Sequence, residues 1–218
     1  MSPLLRVARK VAGLGCLLAM PMLAAGQNAF SPGGNDYVIA GALAGDQTAP
    51  QVAVNATGGY LVWQDNSINT NGLRIRAQRL NSGLTQSQSP VLVSSVGNSA
   101  VAGDQEKPQV ALLNGGGAVI VWQGGRFGFQ KIYARFFAAN GSFLTSDILV
   151  NTYTNSFQIS PGVATLVDGS VVVVWSSDGQ DGDLQGIFGQ RFSATGAKLG
   201  GEFQINQYAA KNQRTPAV

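Results

Sequence analysis

The sequence predicts an all-β fold built from repeated four-stranded antiparallel units, and three observations lead to this prediction. The string Gln-x-x-Pro recurs at intervals of about 55 residues, which is typical of repeat architectures. A tryptophan follows each of the first three copies, at the end of an apolar stretch. Those stretches are β-branched and aromatic runs too short for helices. The repeat positions are Gln47, Pro50, Trp63, Gln105, Pro108, Trp122, Gln158, Pro161, Trp175 and Gln213.

Each repeat is predicted to contain four strands, A to D. Strand A opens at the Gln-x-x-Pro string, where the missing N–H of proline does no harm. Strand B is the run that ends at the tryptophan, and Asn114-Gly115 and Asp168-Gly169 predict tight hairpin turns with positive φ before it. Strand C is predicted at 75–80, 132–137 and 187–192, and the short strand D at 91–93, 148–150 and 203–205.

Strand B indicates how the units pack. In Ala118–Trp122 and Val171–Trp175 every position is apolar, so both faces of the sheet should be covered. A four-stranded unit covered on both faces by copies of itself is a propeller blade. A β-sandwich would show alternation in strand B, and a β-solenoid would need shorter coils. We therefore predict a β-propeller-like array of about three blades plus flanking strands.

The repeat spacing divides the chain into six segments. Residues 46–104, 105–157 and 158–212 are predicted as blades 1, 2 and 3, and 213–218 as the start of a further blade. The lead, 27–45, should contain a lone strand D, because Gly34–Ile39 resembles Gly200–Ile205. Three blades and two fragments do not close a ring, since propellers use about four to eight blades. We expect an incomplete ring, either part of a longer protein or completed by a second chain that exchanges blades.

The N-terminus predicts export. Arg6, Arg9 and Lys10 precede the apolar run Val11–Leu23, and small residues lead to Gln27, so residues 1–26 read as a secretory signal peptide. Its removal takes three of the fourteen basic residues and leaves eleven against eleven acidic ones, a net charge of zero. We expect a secreted, periplasmic or cell-surface protein, with no nucleic-acid partner and no membrane insertion after cleavage.

Composition excludes most catalytic chemistry. The sequence has no His, and its single cysteine, Cys16, lies in the predicted signal peptide. Ser-His-Asp sites, Cys-His sites and His-ligated zinc are therefore excluded. Paired carboxylates could still hydrolyse glycosides, but the two glutamates, Glu106 and Glu202, occupy different repeat positions and form no evident pair. No catalytic or cofactor-binding residue is predicted.

One loop is a candidate for metal binding. Asp178, Asp181 and Asp183 alternate with glycines after Trp175, and carboxylate oxygens suit Ca²⁺. The spacing departs from the EF-hand pattern, and the equivalent loops of the other repeats lack these residues. We favour a solvated turn that uses Asp and Gly for their backbone preferences. No metal ligand is predicted, although the loop could bind a hard cation such as Ca²⁺.

The remaining repeated side chains are predicted to be structural. Tryptophans that recur with the period of the fold indicate core positions better than a sugar-stacking row. The glutamines of Gln-x-x-Pro are predicted to bind loop backbone between blades. Arg76, Arg79, Arg135 and Arg191 are predicted to lie over the sheets through their aliphatic stems rather than to form a basic stripe.

The third repeat carries a family resemblance. Pro161–Asp183, followed by Gly186–Phe192 and Gly201–Asn206, resembles the propeller-type repeats of large bacterial secreted and cell-surface proteins, some of which also carry haemolysin-type calcium repeats. The first two repeats are less similar, since Gly124–Phe129 replaces the acidic loop. The resemblance implies an extracellular location and a scaffold or adhesion role, with no catalytic motif.

These observations predict a non-enzymatic, exported scaffold for interaction or adhesion. Its B-to-C loops, at 64–74, 123–131 and 176–186, would face an extracellular protein or glycan. Self-association through open strand edges is also expected. Two alternatives stay open: a glycosidase-like, carbohydrate-active enzyme that uses carboxylates, and a purely structural spacer.

Overall fold

Twelve β-strands and no helix make up the part of the chain that the computed structural model describes, residues 43–67, 72–94 and 103–218. The predicted signal peptide and the predicted lone strand at 34–39 lie outside these residues. No described segment forms a helix that could cross a membrane.

The strands form three four-stranded antiparallel sheets within the described ranges, each in sequence order. This arrangement confirms the predicted all-β fold of four-stranded units, and we call the sheets blades 1, 2 and 3. Blade 1 contains β1 (Gln47–Asn55), β2 (Gly58–Asp65), β3 (Arg74–Leu80) and β4 (Val91–Leu92). Blade 2 contains β5 (Asp104–Leu112), β6 (Ala118–Gly125), β7 (Lys131–Phe137) and β8 (Ile148–Leu149). Blade 3 contains β9 (Gln158–Thr165), β10 (Val171–Asp178), β11 (Gln185–Phe192) and β12 (Lys198–Gln204).

The hydrophobic core lies between neighbouring blades. Strand β6 shows why, because successive side chains of a strand point to opposite faces. Ile120 and Trp122 pack into the cluster shared with blade 1, whereas Val119 and Val121 pack into the cluster shared with blade 3. All four side chains are fully buried. A strand that serves two cores must be apolar at every position, which is the pattern that predicted the blade.

Each of the first three Gln-x-x-Pro strings forms a bulge in the first strand of its blade. The ladder between β1 and β2 shifts register between Thr48 and Gln51, and β5 and β9 shift at the same place. The residue before the proline has positive φ in every copy, namely Ala49, Lys107, Ser160 and Thr215. Non-glycine residues rarely adopt this conformation, because it strains the backbone.

One predicted turn differs in detail. Gly169 has φ of +82° and its N–H donates to the carbonyl of Leu166 at 2.9 Å, as expected for a tight hairpin. In the other turn, positive φ falls at Gly116 and Gly117 rather than at Gly115. A run of three glycines allows the turn to move along the sequence, because each of them can adopt positive φ at little steric cost.

Candidate functional site

Two hydrogen bonds donated by backbone N–H groups join each of the motif copies at Gln105, Gln158 and Gln213 to the preceding blade. The N–H of the motif glutamine donates to a carbonyl at the start of strand C: Gln105 to Leu73 at 3.0 Å, Gln158 to Gln130 at 2.9 Å, and Gln213 to Gln185 at 2.7 Å. The N–H of the positive-φ residue donates to a side chain that follows the tryptophan: Lys107 to Gln64 at 2.9 Å, Ser160 to Gln123 at 3.0 Å, and Thr215 to Ser176 at 3.2 Å. These bonds support the bulge and fix one end of each first strand.

The side chains of the motif glutamines bind the loop that precedes their own strand. Each Nε2 donates to a carbonyl two or three residues earlier: Gln47 to Ala44 at 2.9 Å, Gln105 to Gly103 at 3.1 Å, Gln158 to Asn155 at 2.8 Å, and Gln213 to Ala210 at 2.8 Å. The structure thus places them at the loop backbone, where they hold the turn into strand A.

The three tryptophans lie in the interior. Trp63 is 3% exposed, and Trp122 and Trp175 are fully buried. The indole N–H of Trp122 donates to Oε1 of Gln105 at 2.8 Å, whereas that of Trp63 donates to Asp65 at 3.2 Å. Since none of them presents a ring to solvent, they form no sugar-stacking row.

A pocket lies where the starts of β5 and β9 meet the B-to-C loop of blade 2. Its volume is about 350 Å³, and its lining is mostly apolar with a few polar groups, as is typical of small-molecule sites. It opens on the end of the molecule that carries the B-to-C loops. The side chains that line it include Glu106, Lys107, Gln123, Phe127, Phe157 and Gln185.

Glu106 is the carboxylate of this pocket. Gln123 holds it, because its Nε2 donates to Oε2 of Glu106 at 3.2 Å while its Oε1 accepts the Ser160 N–H. The same repeat position is Thr48 in blade 1 and Ile159 in blade 3. Lys107 points across the junction, with Nζ 3.4 Å from the hydroxyl of Ser160. Glu106 and Lys107 therefore bring a carboxylate and an ammonium group to the lining of one pocket at this blade junction.

The B-to-C loop of blade 2 supplies an exposed aromatic ring at the rim. Phe127 is 95% exposed, although it lines the pocket, and the nearby Phe129 is 65% exposed without lining it. Two unburied phenylalanines in one short loop have no role in the blade core. From the sequence, this loop differs from the acidic loop of blade 3, and its phenylalanines carry no motif that would mark them as functional.

The acidic loop of blade 3 does not gather its carboxylates around one point. Asp178 accepts from the hydroxyl of Ser156 at 2.6 Å, and Asp183 from the backbone N–H of Lys211 at 2.7 Å. Asp181 accepts from the side chain of Asn206 at 3.3 Å. Each carboxylate thus ties the loop to a different neighbouring segment. Among the described residues, no group of three acidic side chains could hold a metal ion.

The strand C arginines form local contacts. Arg76 pairs with Asp65 at 3.2 Å and Arg135 with Asp147 at 3.5 Å. Burial lowers the pKa of Arg135, and Asp147 partly offsets that effect. Arg191 pairs with Asp168 at 3.0 Å, and Arg79 donates to the backbone carbonyl of Ala139. Because each guanidinium has its own partner, the four do not act as one basic stripe.

No protein-family model matches the sequence, and no curated protein matches it either. Solved structures do share the fold. A Xanthomonas citri enzyme of the GH43_1 group, solved with xylose, matches with a TM-score of 0.50 and 14% identity over 73% of this chain and 55% of that one. Native Bacillus subtilis arabinanase matches with a TM-score of 0.44 and 16% identity over 77% of this chain and 59% of that one. The chain thus spans little more than half the length of these proteins.

These matches show the fold and correct one prediction. The matched structures are β-propeller glycoside hydrolases, and their fold agrees with an incomplete propeller here. The prediction that the chain is not an enzyme is contradicted, since it took the fold for a scaffold without chemistry whereas the matched structures are enzymes. The basis of that prediction was the absence of a carboxylate pair, and among the described residues Glu106 is the only carboxylate that lines the pocket between blades 2 and 3.

Proposed function

We propose that this protein is a carbohydrate-active β-propeller and that the pocket between blades 2 and 3 binds a saccharide. The observation that supports the proposal most is the pairing of the exposed Phe127 ring with the fixed Glu106 carboxylate in one pocket. An aromatic face packs against the C–H groups of a sugar ring, and carboxylate and amide groups bind its hydroxyls. The amides of Gln123 and Gln185 are suitably placed in the lining.

Glu106 is the residue we assign to acid–base chemistry. In its protonated form it would donate a proton to the glycosidic oxygen as the bond to the anomeric carbon breaks; a water oxygen would add to that carbon, and the proton that this water releases would return to the Glu106 carboxylate. Glycosidases pair such an acid with a second carboxylate. Glu106 is the only carboxylate that lines this pocket among the residues described. The proposal therefore covers the whole hydrolysis of the glycosidic bond and gives a catalytic role to Glu106 alone.

Export is a further part of the proposal. Residues 1–26 have the layout of a signal peptide, and an enzyme acting on extracellular polysaccharide would require secretion. We also propose that this chain is related to the propeller-type repeats of large bacterial secreted proteins. The four-stranded blades described above support this, because propeller-type repeats form such blades.

The test compares Glu106→Gln with Glu202→Gln, which alters the only other glutamate in the sequence. Glu202 accepts from the Thr152 hydroxyl at 2.8 Å and does not line the pocket. On a panel of oligosaccharides we expect E106Q to lower the release of reducing sugar by about 10²–10⁴-fold, and E202Q to leave it near the wild-type rate.

A second pair tests binding. Phe127→Ala should weaken saccharide affinity by about tenfold, whereas Phe129→Ala, in the same loop but outside the pocket, should not. Titration calorimetry with the best oligosaccharide measures both affinities. The proposal is wrong if the wild-type protein neither binds nor cleaves any saccharide, or if E106Q and F127A behave as their controls do.

A further inference from the structure

Blade 3 carries a docking site for a Gln-x-x-Pro strand. The segment Gln213–Val218 makes on blade 3 both backbone bonds that β5 makes on blade 1 and β9 makes on blade 2. Its acceptors are the carbonyl of Gln185 and the hydroxyl of Ser176. Three segments with different middle residues therefore dock in one way, so the motif and not the individual sequence is what the site recognises.

Strand β1 carries the same motif but leaves it uncovered. Gln47 and Pro50 are exposed, whereas the glutamines and prolines at the same positions of β5 and β9 are buried. Val52 is 59% and Val54 is 45% exposed. Their counterparts in β5, Val110 and Leu112, pack against the core shared with blade 1. Strand β1 thus presents an apolar face of the kind that elsewhere lies in a junction.

The outer face of blade 3 is the complement of that surface. Ile205 is 44% exposed and Phe203 is 41% exposed. Ile205 occupies the repeat position of Val93 and Val150, which are fully buried in the junctions that follow blades 1 and 2. One molecule therefore bears both halves of a blade junction, with partly exposed apolar side chains on each.

We propose that blade 1 of one copy docks on blade 3 of a second copy, with Gln47–Pro50 taking the place of Gln213–Pro216. The contact joins different surfaces of the two copies, and such contacts form rings when the rotation closes. Reciprocal docking of two copies brings together the six blades that the structure describes in them, a number within the range of about four to eight blades that propellers use. This inference stands independently of the proposed saccharide site.

The test is the mass of the full chain in solution, measured by sedimentation from low concentration to about 100 μM. We expect a dimer that dissociates on dilution. The double variant Val52→Lys with Val54→Lys should raise the dissociation constant by about tenfold or more, because it places charges in an apolar junction. Val167→Lys alters a fully exposed valine in a hairpin loop of blade 3 and serves as the matched control.

A third variant acts in the opposite direction. Thr215 has φ of +52°, which proline does not adopt, so Thr215→Pro should release the chain's own segment from blade 3. Release frees the docking site, and we expect about tenfold tighter association. Disulfide capture between Ala49→Cys in one chain and Ser176→Cys in another, both with Cys16→Ser, should yield a cross-linked pair. A wild-type chain and a T215P chain that both stay monomeric overturn the proposal, as does equal weakening by the valine pair and its control.

Discussion

Strands β1 and β5 start with the same motif and meet different surroundings. Gln105 and Pro108 of β5 are buried, and the bulge N–H of Lys107 donates to Gln64 of blade 1. Strand β1 forms the same bulge at Ala49, with the glutamine and proline exposed. Because the bulge forms in both settings, burial in a junction is not required for its geometry. The conformation is local, and the stabilisation comes from the neighbouring blade.

The two middle residues of the motif show where the repeat is free to vary. They are Thr48 and Ala49 in β1, Glu106 and Lys107 in β5, Ile159 and Ser160 in β9, and Arg214 and Thr215 in the last copy. The outer glutamine and proline stay constant and set the docking. The middle pair supplies side chains that line the pocket between blades 2 and 3. The functional groups at this position therefore differ from blade to blade, while the backbone that carries them stays the same.

Among the substitutions that compare β5 with β1, Trp122→Ala is expected to lower the free energy of unfolding most. The indole fills the junction between blades 1 and 2 and donates to Gln105 of β5. Its removal leaves a cavity, and we expect the free energy of unfolding to fall by about 3–5 kcal/mol in denaturant titration. Val52→Ala, on the uncovered side of β1, should cost about 0.5 kcal/mol or less. Equal losses would mean that junction burial does not distinguish the two strands.

Gln105→Ala against Gln47→Ala compares the same motif position in the two strands. Gln105 is 1% exposed, and truncation leaves the Trp122 N–H without its acceptor, so we expect a loss of about 1–3 kcal/mol. Gln47 is exposed and binds only the loop carbonyls of Ala44 and Gly45, so about 0.5 kcal/mol or less is expected. Chemical denaturation of both variants decides whether the motif stabilises through the junction or through its own loop.

Asp168→Asn should have the smallest effect, because this residue lies in a hairpin turn outside the junctions. Hydrogen bonds from Ser170, and then Arg191, lower the pKa of Asp168 below its usual value. Its stabilisation is therefore complete above the ordinary carboxyl pKa and is lost as the pH falls through the lower pKa of the folded state. We expect D168N to lower Tm by about 1–2 °C at neutral pH, with the gap closing in strong acid. A gap that widens in acid would contradict this assignment.

The sequence was sufficient for the fold because the signal is repeated. Val171–Trp175 and Ala118–Trp122 show that strand B serves two cores, and this property alone separates blades from a sandwich. The hairpin at Asn114 was predicted at the right place, but its positive φ was expected at Gly115 and is found at Gly116 and Gly117. Three consecutive glycines can share one turn in several ways, and local sequence does not choose among them.

The candidate site could not be predicted in the same way, because it departs from the repeat. Glu106 and Phe127 are 21 residues apart in sequence, and Phe157 comes from the next blade. The β5–β6 hairpin brings Glu106 close to the loop that holds Phe127, and the packing of blade 3 beside blade 2 adds Phe157. A search for carboxylate pairs at matching repeat positions discards Glu106, since its equivalents are Thr48 and Ile159. The useful signal was the opposite one, an acidic residue and exposed phenylalanines in a single divergent blade.

The bulge before each proline also affects how the molecule avoids misassembly. A first strand with a free edge offers a row of unpaired N–H and C=O groups, which is a template for fibril growth. The register shift at Ala49 and the proline that follows interrupt this row after two residues of β1. An incoming chain therefore finds regular pairing only if it matches the same break. The feature that aligns blades with one another thus also excludes strands that do not belong to the repeat.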